Sequence, residues 1–320
     1  MFYFFGSGSG VIPFAGSLFA FLATFILMKV FEDKLPHDQG RAYAVEGTLS
    51  KGKARGAGII FVLVFAAASL LFDYIDNQKV IYIAVIVASM FTGYFDDASE
   101  KPWNEYIKGA LDLGLAAVVA LTYLYYNGNR FAFFPQPYIS VEIPYWLAFI
   151  LIVILVWTSV NVTNCTDGVD GLSATLTIIT LGSFFVCMEY DGSADFSLGI
   201  MYFVTVLMAY LWYNANPSSM LMGDAGSRAM GMMIAVVALL CGYPLLYIPF
   251  ALVMILDGGL GLLKVALLRF CKIKILANTR CPLHDHARKT LEWSNTQVVF
   301  RFAIIQSIIN ILLIFLFESV

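Results

Sequence analysis

Apolar runs of about 17 to 25 residues recur from one end of this chain to the other, each long enough to cross the hydrocarbon core of a bilayer. Ten candidate spans follow, near residues 11–31, 56–73, 79–95, 108–126, 144–160, 168–188, 197–213, 226–242, 244–268 and 297–317. Lipid offers no partner to a backbone N–H or C=O, so a spanning segment is a helix or a strand of a closed barrel, and none of these runs alternates as a barrel strand does. With 60% of its 320 residues apolar and 13% charged, the chain has too little polar surface to cover a water-soluble fold. The expectation is an all-α integral membrane protein, a single polytopic domain of about ten transmembrane helices over residues 1–320.

Charge decides orientation and excludes one class of partner. Lys34, Arg41, Lys51, Lys53 and Arg55 follow the first span, Lys101 precedes the fourth, and Arg269, Lys272, Lys274, Arg280, Arg288 and Lys289 follow the ninth. These loops are odd-numbered, whereas the even-numbered ones hold only Lys79 and Arg130, and the sixth, with Glu189, Asp191 and Asp195, is acidic. Basic loops stay cytoplasmic, which predicts both termini outside. The net charge of −3, with basic residues scattered over several loops, excludes nucleic acid as a partner. Five cysteines form no framework and are expected to be reduced. The first charge is Lys29, after the first run, so that run lacks the basic start of a cleavable signal and is expected to remain a helix. Gly6–Gly10 reads as a flexible lead-in, and Tyr126–Pro137 as an outer loop able to hold a hairpin.

The functional polar residues fall on odd-numbered loops or the helix ends beside them, which puts them on one face of the membrane. Asp96 and Asp97 end the third span, against the negative end of its helix dipole, a placement that calls for a cation or a solvated helix end. Asn161, Asn164, Asp167 and Asp170 lie three apart in Asn161-Val-Thr-Asn-Cys-Thr-Asp-Gly-Val-Asp-Gly-Leu172 and are expected to share a face at the opening of the sixth helix. An N-cap accounts for one such residue, not four beside a lipid boundary. Met222-Gly-Asp-Ala-Gly-Ser227 sets Asp224 between Gly223 and Gly226 before the eighth span, with Ser227 the expected cap. A carboxylate there, beside backbone N–H groups suited to phosphate, points to Mg²⁺ shared with phosphate oxygens. Asn214 precedes this motif. His284 and His286 flank Asp285 in the basic ninth loop, where phosphate or sugar contact is expected; zinc with Cys281 lacks a fourth ligand.

Gly47-Thr-Leu-Ser-Lys-Gly-Lys53 nearly spells a phosphate-binding P-loop, but Ala54 replaces the required hydroxyl and no strand precedes it, leaving Lys51 as a phosphate-contacting cation. Asp257 and Lys264 are expected to form an internal ion pair in the ninth span.

Taken together and in this order, these motifs resemble the polyprenyl-phosphate N-acetylhexosamine 1-phosphate transferases over nearly the whole chain. The branch most resembled makes lipid I, through Pro282-Leu-His-Asp-His286 and the Lys51-Gly52 and Gly56-Ala-Gly58 pair. The resemblance implies ten spans with both ends outside a bacterial inner membrane, a cytoplasmic active site, a dimer, and Mg²⁺-dependent transfer. The product would be lipid I and UMP, from UDP-MurNAc-pentapeptide and undecaprenyl phosphate. It implies Asp224 as Mg²⁺ ligand, Asp96 and Asp97 as the essential pair, and Asp167, Lys108, His284 and His286 among the catalytic groups. Lys51, Asn161, Asn164, Asp170, Asn214 and Gly223 are implied on the substrate side. Departures from the family pattern are Asp285 for a middle histidine, Lys53-Ala54-Arg55 for Thr-Pro-Thr, and a shortened segment from Asp97 to Lys108. They bear on sugar recognition, so a sister transferase using UDP-GlcNAc or another UDP-HexNAc is the near rival. A secondary transporter, with ionisable sites at the midplane such as Asp112 and Asp257, is the remote one.

Overall fold

The computed structural model describes residues 10–38, 40, 50–99, 103–134, 139–191 and 196–318. The lead-in before Gly10, Arg41, the first residues of the Gly47–Lys53 stretch, Lys101 and Asp195 lie outside them. Among the described residues eight helices are long and apolar enough to cross a membrane, or nine if a bent pair is counted as one span, and a further apolar helix is shorter. In chain order the bundle begins with α1 (Val11–Phe31), the shorter α2 (Gly58–Phe72), α3 (Asn77–Ala98), α4 (Glu105–Asn127), α5 (Tyr145–Thr166), α6 (Leu172–Asp191), α7 (Ser197–Asn214) and α8 (Gly223–Leu240). The bent pair is Pro244–Phe250 with Leu252–Cys271, and Asn295–Glu318 closes the bundle. The all-α membrane bundle expected from the apolar runs is what the chain forms.

Lipid-facing and bundle-facing surfaces separate by helical spacing. On α1, Gly16, Ala20, Thr24 and Met28 recur every four residues on the buried side, while Phe14, Leu18, Leu22 and Ile26 form the exposed stripe. Small residues let neighbouring helices approach, the substitute in lipid for a hydrophobic driving force. At the centre stands α8, buried almost along its length and packed on α2, α3, α5 and α6. Its backbone is reached closely: a Cβ on Gly58 would lie 2.1 Å from the Gly226 nitrogen, and one on Gly93 would lie 2.3 Å from the Asp224 carbonyl. Those two glycines bring α2 and α3 onto the start of α8.

Two small sheets tie the loops. The strand β1 (Ala54–Arg55) pairs in parallel with β4 (Met220–Leu221), fixing the segment before α2 beside the entry to α8. The hairpin expected after α4 exists as β2 (Arg130–Phe134) against β3 (Ile139–Glu142).

The ninth span is broken by 69° at Ala251, where a continuous helix was expected. A break in a bilayer requires partners for the backbone groups it releases. Gln306 accepts from the Val253 N–H at 2.7 Å and donates to the Pro249 carbonyl at 3.0 Å, and Thr180 donates to the Phe250 carbonyl at 2.8 Å. Beyond the break, Ile255–Gly259 is a π-helical turn that carries Asp257.

Gly58→Ala is expected to destabilise the bundle by about 1–3 kcal/mol because the methyl has only α8 backbone to meet. Gly114→Ala on α4, which meets nothing within 4 Å, should be neutral or slightly stabilising. Thermal unfolding of the two variants in detergent, followed by tryptophan fluorescence, checks the contrast.

Candidate active site

Where α3, α4, α8 and the β1 segment meet, carboxylates and cations interlock. Asp96, near the end of α3, pairs directly with Lys108 from the first turn of α4 and accepts from the Trp103 N–H at 2.8 Å. Asp97 turns the other way and its side chain is fully buried, with Arg55 Nη2 at 2.8 Å from Oδ1 and the Ala225 N–H at 3.3 Å from Oδ2. Asp224, in the first turn of α8, faces Arg55 at 3.5 Å through one oxygen and Lys108 at 3.6 Å through the other. Arg55 also holds Asp38 at 3.1 Å. Burial opposes the charge on Arg55, but Asp97, Asp224 and Asp38 outweigh it and hold the guanidinium above its ordinary pKa. Gly223, at φ +68°, allows this junction, since a Cβ there would lie 2.1 Å from Asp97 Oδ2.

A second wing runs from α5 to the broken span. Asn164 donates to Ser227 Oγ at 2.9 Å, and the Asn164 carbonyl accepts from the Asp167 N–H at 3.3 Å. Gly168 next lies under the His284 ring: a Cβ on it would meet Nε2 at 2.2 Å. Asp257 fixes that ring twice, accepting from the His284 N–H at 2.7 Å and facing Nδ1 at 2.9 Å. Arg288, from the same short helix Leu283–Lys289, bonds the Gly168 carbonyl at 3.2 Å and Asp285 at 2.7 Å. A series of contacts thus links Ser227, one turn along α8 from Asp224, to Asp257.

A family model described as glycosyl transferase family 4 matches residues 79–242, the stretch from α3 through α8 that supplies most of these groups. A phospho-N-acetylmuramoyl-pentapeptide-transferase of Treponema pallidum (strain Nichols) is 40% identical over 296 residues, 87% of this chain and 81% of the relative. The chain belongs to glycosyl transferase family 4. Transferases of the same name from Helicobacter acinonychis (strain Sheeba) and Clostridium perfringens (strain 13 / Type A) are 27% and 28% identical, over 92% and 83% of this chain and 91% and 86% of theirs.

Four carboxylates of this transferase, Asp38, Asp96, Asp97 and Asp224, meet two cations, Arg55 and Lys108, so four negative charges against two positive leave an excess of two. That excess and an all-oxygen donor set suit a hard divalent ion. Among the described residues no three side chains form a ready metal cage. Mg²⁺ accepts such a site, because it takes one or two carboxylates and completes its shell with water and phosphate. Asp224, whose side chain is part-exposed and which the two cations approach at 3.5 and 3.6 Å, is the carboxylate that could hold such an ion.

The other expected residues divide. Asp170 accepts from the Ser218 N–H at 3.0 Å and stands 3.8 Å from Lys53. Asn214 is buried and spends its amide on the Gly171 N–H at 2.7 Å and the Met220 carbonyl at 2.8 Å, tying the turn after α5 to β4. Asn161 leans to Asp112 at 3.5 Å, beside the buried Asp112–Arg228 pair at 2.8 Å. Lys51 is exposed and forms no ion pair among the described residues, and His286 lies on the outer turn with the Arg280 N–H at 3.5 Å.

Three local expectations are corrected. The Asn/Asp motif does not open α6: α5 runs on to Thr166, Asp167 caps it and Asp170 lies in the turn, so the four residues point to different neighbours instead of sharing a face. Ser227 is not the cap of α8, which starts at Gly223; its hydroxyl bonds back to the Gly223 carbonyl at 3.1 Å. Asp257 pairs with His284 rather than Lys264, whose ammonium caps the Leu276 and Thr279 carbonyls at 2.9 and 2.8 Å. Seven helical residues separate the two by about 10 Å along the axis, and each finds a nearer partner.

Arg55, Lys53 and Asp38 were not legible as site residues, because their roles depend on the pairing of β1 with β4, two residues in each strand. Asp257→Asn is expected to lower turnover roughly 10- to 100-fold, as loss of an orienting carboxylate does, with little added by His284→Ala in the same chain. Steady-state rates of the single and double variants check this; unchanged turnover in Asp257→Asn would mean that ring orientation is not used.

Proposed function

We infer that this protein transfers phospho-MurNAc-pentapeptide from UDP-MurNAc-pentapeptide to undecaprenyl phosphate, releasing UMP and forming lipid I for peptidoglycan synthesis. The observation that carries the reading is the carboxylate and cation cluster around Asp224, set at a helix N-terminus in a membrane chain that is 40% identical to a transferase of that name. An oxygen of the lipid phosphate attacks the β-phosphorus of the donor, a new P–O–P link forms, and the bond from that phosphorus to the oxygen it shares with the α-phosphorus breaks. The electron pair leaves with UMP.

Both reactants are anions, so the site must first offset their repulsion. Bound at Asp224, Mg²⁺ would supply charge neutralisation and an in-line template for the two phosphates. Lys108 and Arg55 neutralise charge from opposite sides of Asp224. At the start of α8 the Ala225 N–H is bonded to Asp97 and the Gly226 N–H to the Met222 carbonyl, which leaves the phosphate oxygens to the cations. Asp96 or Asp97 receives the residual proton of the lipid phosphate or positions that group. The exposed Lys51 and the loop with His284 and His286 are assigned to the donor's phosphate and sugar. A direct displacement suffices, since lipid phosphate at neutral pH is a competent nucleophile. The basic odd loops support a cytoplasmic cleft, with both termini outside and lipid phosphate arriving from the inner leaflet. Assembly as a homodimer completes the proposal.

Purified protein with undecaprenyl phosphate and Mg²⁺ should release UMP from UDP-MurNAc-pentapeptide and not from UDP-GlcNAc. Chelation with EDTA should stop release and added Mg²⁺ restore it, while Asp224→Ala should lose roughly 100-fold or more. Release from UDP-GlcNAc alone would assign the sister activity, and full activity of Asp224→Ala at saturating Mg²⁺ would remove Asp224 as the ligand.

A further inference from the structure

The guanidinium of Arg55 touches carboxylates from three separate segments, and the three contacts are unequal. Nη1 is tethered to Asp38 at 3.1 Å, an acid held in turn by the Ser50 hydroxyl at 2.6 Å and the Gly40 N–H at 3.2 Å. Nη2 sits 2.8 Å from Asp97 and 3.5 Å from Asp224. The first of these is a close ion-pair contact, although Asp97 Oδ1 takes no hydrogen bond there among the described residues, and the second is a longer electrostatic approach. Lys108 repeats the asymmetry, in direct contact with Asp96 and 3.6 Å from Asp224. Resident cations therefore stand in direct ion-pair contact with Asp96 and Asp97 and only approach Asp224, one at each oxygen.

We propose that Arg55 is a resident counter-cation of the catalytic carboxylates that competes with the divalent ion for Asp224, and so sets how tightly the enzyme holds its metal. The inference rests on the reading of Asp224 as metal ligand and deepens it. An ion on Asp224 has the Arg55 charge within a few ångströms, where repulsion between like charges is strong even at a solvent-accessible site. Asp38 keeps the guanidinium from leaving altogether. Arg55 thus lowers affinity for metal alone, while the phosphates of a bound donor give both cations something to neutralise and remove the conflict. Metal and donor would then bind cooperatively, each favouring the other by the same factor. The rival role is a staple that merely fastens the β1 segment to α3.

The test is Mn²⁺ binding to full-length protein in detergent without donor, read from the electron paramagnetic resonance of free Mn²⁺. Arg55→Ala should bind Mn²⁺ about 10-fold more tightly than the unsubstituted chain. Arg55→Gln, which keeps a polar group for Asp38 but loses the charge, should do the same and serves if the alanine variant fails to fold. Introducing Asp224→Ala into either background should abolish the gain. Unchanged or weaker Mn²⁺ binding in folded Arg55→Gln, or no Mn²⁺ site in any of these proteins, would overturn the inference. UMP release by the unsubstituted chain is measured separately: turnover with an unresponsive Mn²⁺ affinity removes only the role of Arg55, whereas absence of turnover with every donor removes the transferase reading.

Discussion

A carboxylate taken out of water at the edge of a bilayer keeps its charge only if a cation is taken with it, and this condition organises the site end of the bundle. The Asp97 side chain is fully buried, so Arg55 has to be beside it. Arg55 reaches that place because β1 is held by β4, and β4 leads directly into α8 and Asp224. The glycines at 58, 93 and 223 then let α2, α3 and the start of α8 close until the two acids share one guanidinium. Charge pairing, strand pairing and backbone approach are three views of one junction.

The second wing obeys the same rule with an imidazole and a backbone N–H in place of the guanidinium. Asp257 lies within a broken span, a place where an unpaired carboxylate would be costly, and it is answered by a backbone N–H and an imidazole from the loop that follows. The break itself is tolerated because Gln306 and Thr180 supply the bonds that the bent backbone gives up. What appears in the sequence as scattered polar residues in apolar helices is a set of local answers to unsatisfied groups. Only a few of them face the substrates. Asp112 with Arg228, and Asn214 with its two backbone partners, belong to the supporting frame.

Much of this was legible in the sequence, for identifiable reasons. Span length is set by bilayer thickness, so the apolar runs located the helices to within a few residues, the extended α5 and the broken ninth span excepted. Asp96, Asp97, Asp224 and Lys108 stood out because charge next to a lipid boundary needs an explanation. The hidden parts were those fixed by contacts between distant segments. No local pattern marks Arg55 as the partner of Asp97, 42 positions on by their residue numbers, nor the turn from Asp257 to His284. Spacing of three suggested one face for Asn161 to Asp170, and failed because the helix ends at Thr166, inside the motif.

The central claim is that Asp224 is the point at which this junction receives a divalent ion and the donor's phosphates. Crystals grown with UMP and Mn²⁺, measured at a wavelength where manganese scatters anomalously, test it most directly. The account predicts one anomalous peak about 2 Å from an Asp224 carboxylate oxygen, with UMP phosphate oxygens completing the shell. A peak against Asp257 and His284 instead, or UMP bound in the cleft with no ion at Asp224, would contradict it.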